Sequence, residues 1–327
     1  MNTKVRPQRG FTLIELLISL AILTAISLSL LSFLSPWMAF KQKLDTDRKL
    51  MEIKSLFTTV YERNAWSVET ASGAVFTYAG GTLTSSTLTT SRSCVSQSAE
   101  LQALASYFSD GLPQGENDGF ANPFCFLVSP QMSILKNGVN VYYHNLAIVS
   151  TGRDSALDAG TSINAAGALT LAGDDFGILI NGYTVQEKKF RETEARLARI
   201  ASLYESYFTA RFLANPSRDA MIDYFANGNG PGAWDTAGTV TGTLGAAKPA
   251  GAHLGQLGLG PEESQSAYET NNAILVANFN ECVSQPTGTT CVRSSSGGTT
   301  PPYTALIFAP LPGPVTNHLV KVATGNY

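Results

Sequence analysis

The sequence predicts an α+β fold in which one long N-terminal helix leads into two successive helix-plus-antiparallel-sheet units. Residues 16–40 carry no charge and continue directly into an amphipathic helical pattern. Short runs of alternating or continuous apolar residues, typical of strands, follow that helix. A second amphipathic helical pattern over residues 192–208 is again followed by strand-like runs.

The chain begins with a short basic leader, residues 1–10, and a long apolar segment, residues 11–40, whose only charge is Glu15. The segment is long enough for a helix to cross a bilayer. Positive residues before it predict a cytoplasmic N-terminus. A cleaved secretory signal is disfavoured, because its apolar region spans only about 7–15 residues.

The junction between leader and apolar segment reads RGFTLIE, with Gly10, Phe11 and Glu15 at fixed distances. This junction resembles the processing site of type IV prepilins and type II secretion pseudopilins. The resemblance implies cleavage by a prepilin peptidase after Gly10 and N-methylation of the new N-terminus, Phe11. An ordinary single-pass anchor would explain the apolar segment but neither Glu15 nor the junction.

Glu15 has a physical role under this resemblance. A carboxylate inside an apolar segment costs a few kcal/mol when it stands alone. After cleavage, the free amine of Phe11 can pair with Glu15 of a neighbouring subunit, and such a pair fixes the register of two docked helices. We therefore expect Glu15 to act in assembly.

The resemblance also implies where the protein resides and what it meets. It implies a pilin-like head, carried by a single-pass helix in the lipid bilayer of the inner membrane. The N-terminus is then cytoplasmic and the head periplasmic or extracellular. Assembly into a pilus or pseudopilus implies, as partners, other pilin or pseudopilin subunits and an inner-membrane assembly platform.

Two head units are predicted, over residues 41–183 and 184–327. Residues 45–61 and 192–208 align without gaps at a spacing of 147 residues. The identical pairs are Thr46/Thr193, Leu50/Leu197, Ile53/Ile200, Ser55/Ser202 and Leu56/Leu203. This alignment predicts a repeat, while the alternative that any two amphipathic helices look alike stays open.

Strand-like runs follow each helical pattern. In the first unit they lie at residues 139–142 and 146–149, with another strand or two inside 167–185. In the second unit, residues 271–282 and 303–311 read as buried strands. Residues 226–260 are rich in glycine and alanine and predict a long surface loop.

The chain has four cysteines, Cys94, Cys125, Cys282 and Cys291. An even number behind an export-like leader fits two disulfides. The favoured pairs are Cys94–Cys125 and Cys282–Cys291, because each closes a loop within one unit. The other two pairings, and four reduced buried thiols, stay open. A zinc site is disfavoured because no CxxC spacing occurs.

One acidic loop is a weak calcium candidate. Asp154 and Asp158 lie in GRDSALDAG, and Asp174 and Asp175 could join them from AGDDFG. Calcium prefers several oxygen ligands, but the spacing is not that of an EF-hand. Major pseudopilins, which the junction resembles, bind calcium in a comparable loop. The simpler interpretation is that these carboxylates are solvated in turns and bind no metal. No other cofactor is expected.

The rest of the sequence argues against catalysis and broad nucleic-acid binding. No GxSxG motif occurs, and GNGPG at 228–232 lacks the lysine of a phosphate loop. The formal net charge is −3 and becomes more negative without the basic leader, whereas nucleic-acid binding needs a basic surface. An aromatic stripe is predicted to be core, at Tyr204, Tyr207, Phe208 and Phe212.

Two functions from different classes therefore remain. The first is a structural, non-enzymatic subunit of a type IV pilus or type II secretion-like filament, and its large head favours a minor or tip-located subunit. The alternative is an adhesin or other binding module on a pilin-like anchor, recognising a surface, DNA or a secreted substrate. A tethered enzyme is disfavoured.

Overall fold

A computed structural model gives the fold of the protein. It describes residues 13–70, 75–78, 81–84, 117–222, 224–225, 248–249, 257–268, 273–278, 302–314 and 316–327. Over these residues the chain is α+β, with a long N-terminal helix and antiparallel sheets. The predicted fold class is confirmed at that level, while the tandem arrangement of two units stays a prediction.

Three helices are present in the described part of the chain: α1 (Leu13–Arg63), α2 (Ala65–Thr70) and α3 (Gly182–Ala214). Helix α1 runs through Pro36 and ends where the apolar stripe of the sequence ends. Helix α3 begins at a capping residue, since the Asn181 side chain accepts a hydrogen bond from the backbone of Tyr183 at 3.0 Å.

The described strands are short, and every pairing among them is antiparallel. They are β1 (Val75–Tyr78), β2 (Gly81–Thr84), β3 (Cys125–Val128), β4 (Met132–Lys136), β5 (Val139–Tyr143), β6 (Leu146–Ser150), β7 (Ser162–Ile163), β8 (Leu169–Thr170), β9 (Phe176–Ile180), β10 (Lys248–Pro249), β11 (Leu275–Asn278), β12 (Thr304–Pro310) and β13 (His318–Thr324).

The first helix–sheet layer consists of the second half of α1 and the sheet β3-β6-β9. The apolar stripe of α1 recurs at spacings of three and four residues, so it forms one face of the helix. That face packs on the sheet in a single core. Its helix members are Leu50, Ile53, Phe57, Val60 and Tyr61, and its sheet members include Phe126, Ile148 and Ile180.

The opposite face of the same sheet is also buried. Cys125, Leu127, Ala147 and Val149 form a second small core there, against Leu157 and residues of β7 and β8. Burial on both faces explains why β6 is a continuous apolar run rather than an alternating one.

The second helix–sheet layer consists of α3 and the sheet β10-β11-β12-β13. Its core contains Leu197, Ile200, Tyr204 and Phe208 from the helix. The partly buried Tyr207 and Phe212 pack against the same core. The prediction that the aromatic stripe is core is therefore confirmed.

The two layers meet at the end of α1 and the start of α3. Val185 of α3 belongs to the core of the first layer. The side-chain amide of the buried Gln186 donates to the Ala65 carbonyl at 2.8 Å, and Lys188 Nζ lies 2.9 Å from Glu62 Oε1. The second layer therefore packs against the C-terminal end of α1.

Candidate functional site

The N-terminal part of α1 presents an apolar surface that the described part of the head does not cover. Its large apolar side chains are exposed from Leu13 to Ile26, as are Leu28 and Leu34. Three hydroxyls hydrogen-bond to carbonyls of their own helix: Ser19 to Glu15 O at 2.8 Å, Thr24 to Ala21 O at 2.9 Å and Ser27 to Leu23 O at 2.7 Å. These hydroxyls are satisfied within the helix and suit an apolar environment.

Glu15 lies in the first turn of α1, and its side chain is exposed. Negative charge near a helix N-terminus is favoured by the helix dipole. The predicted cleavage and methylation residues, Gly10 and Phe11, lie outside the described residues. Their pairing with Glu15 stays a prediction.

The predicted membrane-crossing segment over residues 11–40 is not confirmed. Along the described stretches of the chain, no helix combines the length and the apolar character that crossing a bilayer requires.

The acidic loop brings together three of the four predicted carboxylates. Oxygen atoms of Asp154, Asp158 and Asp174 all lie within 4.8 Å of one another. Backbone amides help to hold them, since Arg153 N donates to Asp174 Oδ2 at 2.6 Å and Ala156 N to Asp154 Oδ1 at 2.9 Å. A cation could be held by this cluster, because carboxylate oxygens are the ligands calcium prefers.

Asp175 lies beside the cluster and is buried. Its Oδ2 accepts hydrogen bonds from Asp158 N at 3.0 Å and Thr161 Oγ1 at 2.5 Å. Its Oδ1 has no hydrogen-bond partner among the described residues. Burial raises the pKa of the Asp175 carboxyl; the hydrogen bond from Thr161 works against the rise, and the nearby Asp158 and Asp174 carboxylates add to it.

A glycine makes room for one of these carboxylates. Gly173 adopts a φ of 55°, and a Cβ atom built there would lie 1.8 Å from Asp158 Oδ2. The Asp158 side chain thus occupies space that any other residue at position 173 would fill.

The cysteine predictions are tested only at one residue. Cys125 is buried in β3 and is disulfide-bonded, and no described cysteine is free. Cys94, Cys282 and Cys291 lie outside the described residues, so both pairings stay predictions.

A buried polar network at the base of α3 was missed by sequence reasoning. The Glu69 carboxylate accepts hydrogen bonds from the Tyr61 hydroxyl and from His144 N at 3.0 Å, and its Oε2 lies 2.8 Å from His144 Nδ1. Gln131 Nε2 donates to Glu69 Oε2 at 3.1 Å. No motif links these residues, which come together through the packing of α1 and α2 on the loops between β3 and β4 and between β5 and β6.

The comparisons with known proteins concern the N-terminus. The family described as prokaryotic N-terminal methylation motif matches residues 5–31. No curated protein and no solved structure matches the chain. The matched motif covers the predicted cleavage junction and Glu15, and it indicates a structural protein rather than an enzyme. The chain therefore carries the prepilin-type signal for N-terminal cleavage and methylation, which supports its reading as a pilin or pseudopilin.

Proposed function

We propose that this protein is a minor, tip-located subunit of a type IV pilus or type II secretion-like filament. In this proposal a prepilin peptidase cleaves after Gly10, Phe11 is methylated, and the subunit assembles through its N-terminal helix. The observation that carries the proposal is the methylation motif at the start of a helix whose apolar surface is exposed. Neighbouring pilin helices would cover that surface.

Similarity between the two layers supports a duplicated head, and a duplicated head favours the tip position. The sheet order β3-β6-β9 in the first layer corresponds to β11-β12-β13 in the second, and every pairing in both is antiparallel. Each layer packs its sheet on one long helix at the same register, since Leu50 and Leu197, which are 147 residues apart, are both buried.

A threonine contact recurs at the same spacing. Thr46 Oγ1 donates to Gln42 O at 2.9 Å and accepts from Gly119 N at 2.9 Å. Thr193 Oγ1 donates to Lys189 O at 2.9 Å and accepts from Ala267 N at 3.1 Å. Both threonines are fully buried. A resemblance between unrelated amphipathic helices would not reproduce these contacts with a distant loop.

A charged contact recurs beside it. Lys49 Nζ lies 3.0 Å from Asp45 Oδ2 and donates to Asn117 O at 3.0 Å. Arg196 pairs with Glu192 at 2.5 Å and donates to Gln265 O at 2.9 Å. Asn117 and Gln265 each form an isolated antiparallel bridge shortly before a strand, β3 for Asn117 and β11 for Gln265. We take the two layers to be tandem pilin-like units.

The stacking of the two layers then favours the filament end. The second layer covers the C-terminal end of α1, where Lys188 meets Glu62. Helix α3 follows directly on β9, so the two layers share one N-terminal apolar segment. A subunit that carries its own second head above the first is harder to repeat along a shaft.

The proposal places the chain in the inner membrane before assembly, with its head outside the cytoplasm. The motif implies the peptidase and other pilin subunits as partners. The assembly platform and the lipid bilayer belong to the proposal.

Gold labelling of the head on intact filaments tests the tip position, and Glu15→Ala tests the assembly route. From gold labelling we expect one label at a filament end. From Glu15→Ala we expect incorporation into filaments to fall at least about tenfold. The reason is that an unpaired Phe11 amine disfavours docking by more than about 1.4 kcal/mol. Asp47→Ala, an exposed carboxylate on the same helix, is the control. Regular labelling along the shaft, or normal incorporation of Glu15→Ala, would contradict the proposal.

We also propose that the acidic loop binds calcium through Asp154, Asp158 and Asp174. The specific support is that Asp158 Oδ2 in the cluster and Asp175 Oδ1 beside it have no hydrogen-bond partner among the described residues, because a buried carboxylate oxygen is costly without a partner or a cation. A cation at the cluster would offset the repulsion among these carboxylates.

Calcium is expected to stabilise the full chain by about 2.7 kcal/mol at a concentration one hundred times its Kd. Asp158→Asn should remove this effect in thermal unfolding followed with calcium or magnesium. Without calcium, Asp175→Asn should stabilise the protein at pH 7: the raised pKa of Asp175 means that stability falls as the pH rises above the unfolded value of about 3.9. Asp47→Asn is the control, and an unchanged melting temperature with calcium would refute the site.

A further inference from the structure

A groove lies beside α1 where the helix enters the head. It has a volume of about 740 Å³. Residues that line it include Trp37, Met38, Lys41, Gln42, Asp45 and Gly119. We call it the lower groove. Met38 is 54% exposed within it, so part of its wall is apolar and open to a partner.

The second layer has an equivalent groove, which we call the upper groove. It has a volume of about 370 Å³. Lys189, Glu192 and Ala267 line it at the positions that Gln42, Asp45 and Gly119 take in the lower groove. Its remaining wall includes Glu62 and Arg63, which belong to the C-terminal end of α1. In the second layer, therefore, the first layer supplies a wall that the lower groove lacks.

Two contacts hold the C-terminal end of α1 against α3. Lys188 Nζ lies 2.9 Å from Glu62 Oε1, and Val185, three residues earlier, is only 3% exposed because the first layer covers it. The corresponding residues of the lower groove, 147 positions earlier, are Lys41 and Met38.

Lys41 and Met38 of the lower groove are again one cationic and one apolar side chain, but no first-layer helix end covers them. Lys41 is exposed. In the part of the chain that the structure describes, no carboxylate forms an ion pair with it, and its ammonium lies 6.0 Å from the Trp37 ring centroid. An exposed lysine beside an exposed methionine is the uncovered counterpart of the Lys188 and Val185 contact.

We infer that the lower groove binds the C-terminal end of the main helix of a neighbouring pilin-type subunit, with a carboxylate of that helix paired to Lys41. The inference rests on the proposed function, because it requires assembly with other subunits. The contact between the two layers of this chain would then copy the contact between subunits in the filament.

The occupant is a sibling subunit rather than a second copy of this chain. The Glu62 carboxylate already pairs with Lys188. At the end of α3, the positions that correspond to Glu62 and Arg63 carry Thr209 and Ala210, so this second helix end offers no carboxylate there. Charge complementarity with Lys41 therefore favours a different pilin chain, one with an acidic residue near the end of its main helix.

Site-specific photo-crosslinking in the native host tests the inference on the full chain. A benzophenone amino acid replaces Met38 in one strain and Met51 in the control strain; Met51 is 61% exposed on the same helix and does not line the groove. We expect Met38 to yield an adduct whose peptide map lies at the main-helix end of a different pilin subunit. Adducts only with a second copy, or the same adducts from both positions, would overturn the inference.

A charge reversal tests the pairing. Lys41→Glu should lower the yield of the position-38 adduct about fivefold or more, because like charges facing each other across an interface are disfavoured. Lys54→Glu is the control, since it makes the same charge change on the same helix at a residue that does not line the groove, and it should leave that yield unchanged. An equal loss in both variants, or in neither, would contradict a carboxylate partner at Lys41.

The same experiment separates failure of this inference from failure of the proposed function. If the cleaved chain is recovered in sheared filaments but the position-38 adduct does not map to a sibling helix end, the groove assignment falls and the filament assignment stands. If the chain is absent from filaments, both fall.

Discussion

Glu69→Ala is expected to lower the free energy of unfolding by about 3–5 kcal/mol, the usual cost of removing one partner from a buried charged or polar cluster. The Glu69 side chain is fully buried. Its carboxylate is the acceptor for the Tyr61 hydroxyl, the His144 backbone amide and the Gln131 amide. Alanine would leave these donors buried without an acceptor, and each such group is costly.

Denaturant titration of the purified full chain measures this effect. Asp47→Ala, which removes an exposed carboxylate from α1, should change the free energy of unfolding by less than about 0.5 kcal/mol. Glu69→Gln keeps the shape and one acceptor oxygen, so its loss should fall between the two. A loss below about 1 kcal/mol for Glu69→Ala would mean that the network is not a major source of stability.

The pH dependence of the network follows from Tyr61. Burial, together with the neighbouring Glu69 carboxylate, raises the pKa of the Tyr61 hydroxyl well above its usual value. Because the pKa of Tyr61 is raised in the folded state, the contribution of Tyr61 to the free energy of unfolding is complete below the pKa of about 10 that tyrosine has in the unfolded chain. It is lost as the pH rises above that value and the tyrosine of the unfolded chain ionises first.

Gly10→Val is expected to stop maturation, with a fall in cleavage rate of about 100-fold or more, because a branched side chain at the scissile position displaces the bond from the catalytic groups. The leader would then stay attached, and Phe11 would not gain a free amine. Glu15 would lack the counter-charge that we assign to it, so the variant should also be absent from filaments.

Intact-mass measurement on membranes and on sheared filaments follows both consequences. Gln8→Ala, a change in the leader two residues before the junction, is the control and should mature normally. A mature mass for Gly10→Val would refute the cleavage assignment. An uncleaved chain found in filaments would refute the role of the Phe11 amine in docking.

Local patterns were sufficient to predict the helices and several strands. The apolar stripe from Leu50 to Tyr61 indicates a helix, and α1 contains all of it and ends two residues later, at Arg63. The run at residues 303–311 predicted β12 (Thr304–Pro310). Helix periodicity and buried-strand composition are properties of neighbouring residues, so they can be recognised in one sequence.

Other features depend on pairing between distant segments and could not be predicted in this way. Strand β13 (His318–Thr324) contains His318 and Lys321 among its apolar residues, and it becomes a strand by pairing along all of β12. The network of Glu69 and His144 joins residues 75 positions apart. At the acidic loop, the sequence indicated four carboxylates, of which the fold brings three together. That Asp175 Oδ1 has no hydrogen-bond partner among the described residues is visible only in the fold.

The position of α3 has a mechanical consequence. Its first turns place Val185 in one core, and its later turns place Leu197 and Phe208 in the other. A force applied to the second layer would be transmitted along α3 to the first layer, because α3 is one continuous helix from Gly182 to Ala214. The two layers should therefore unfold together, in a single step, when a filament is under tension.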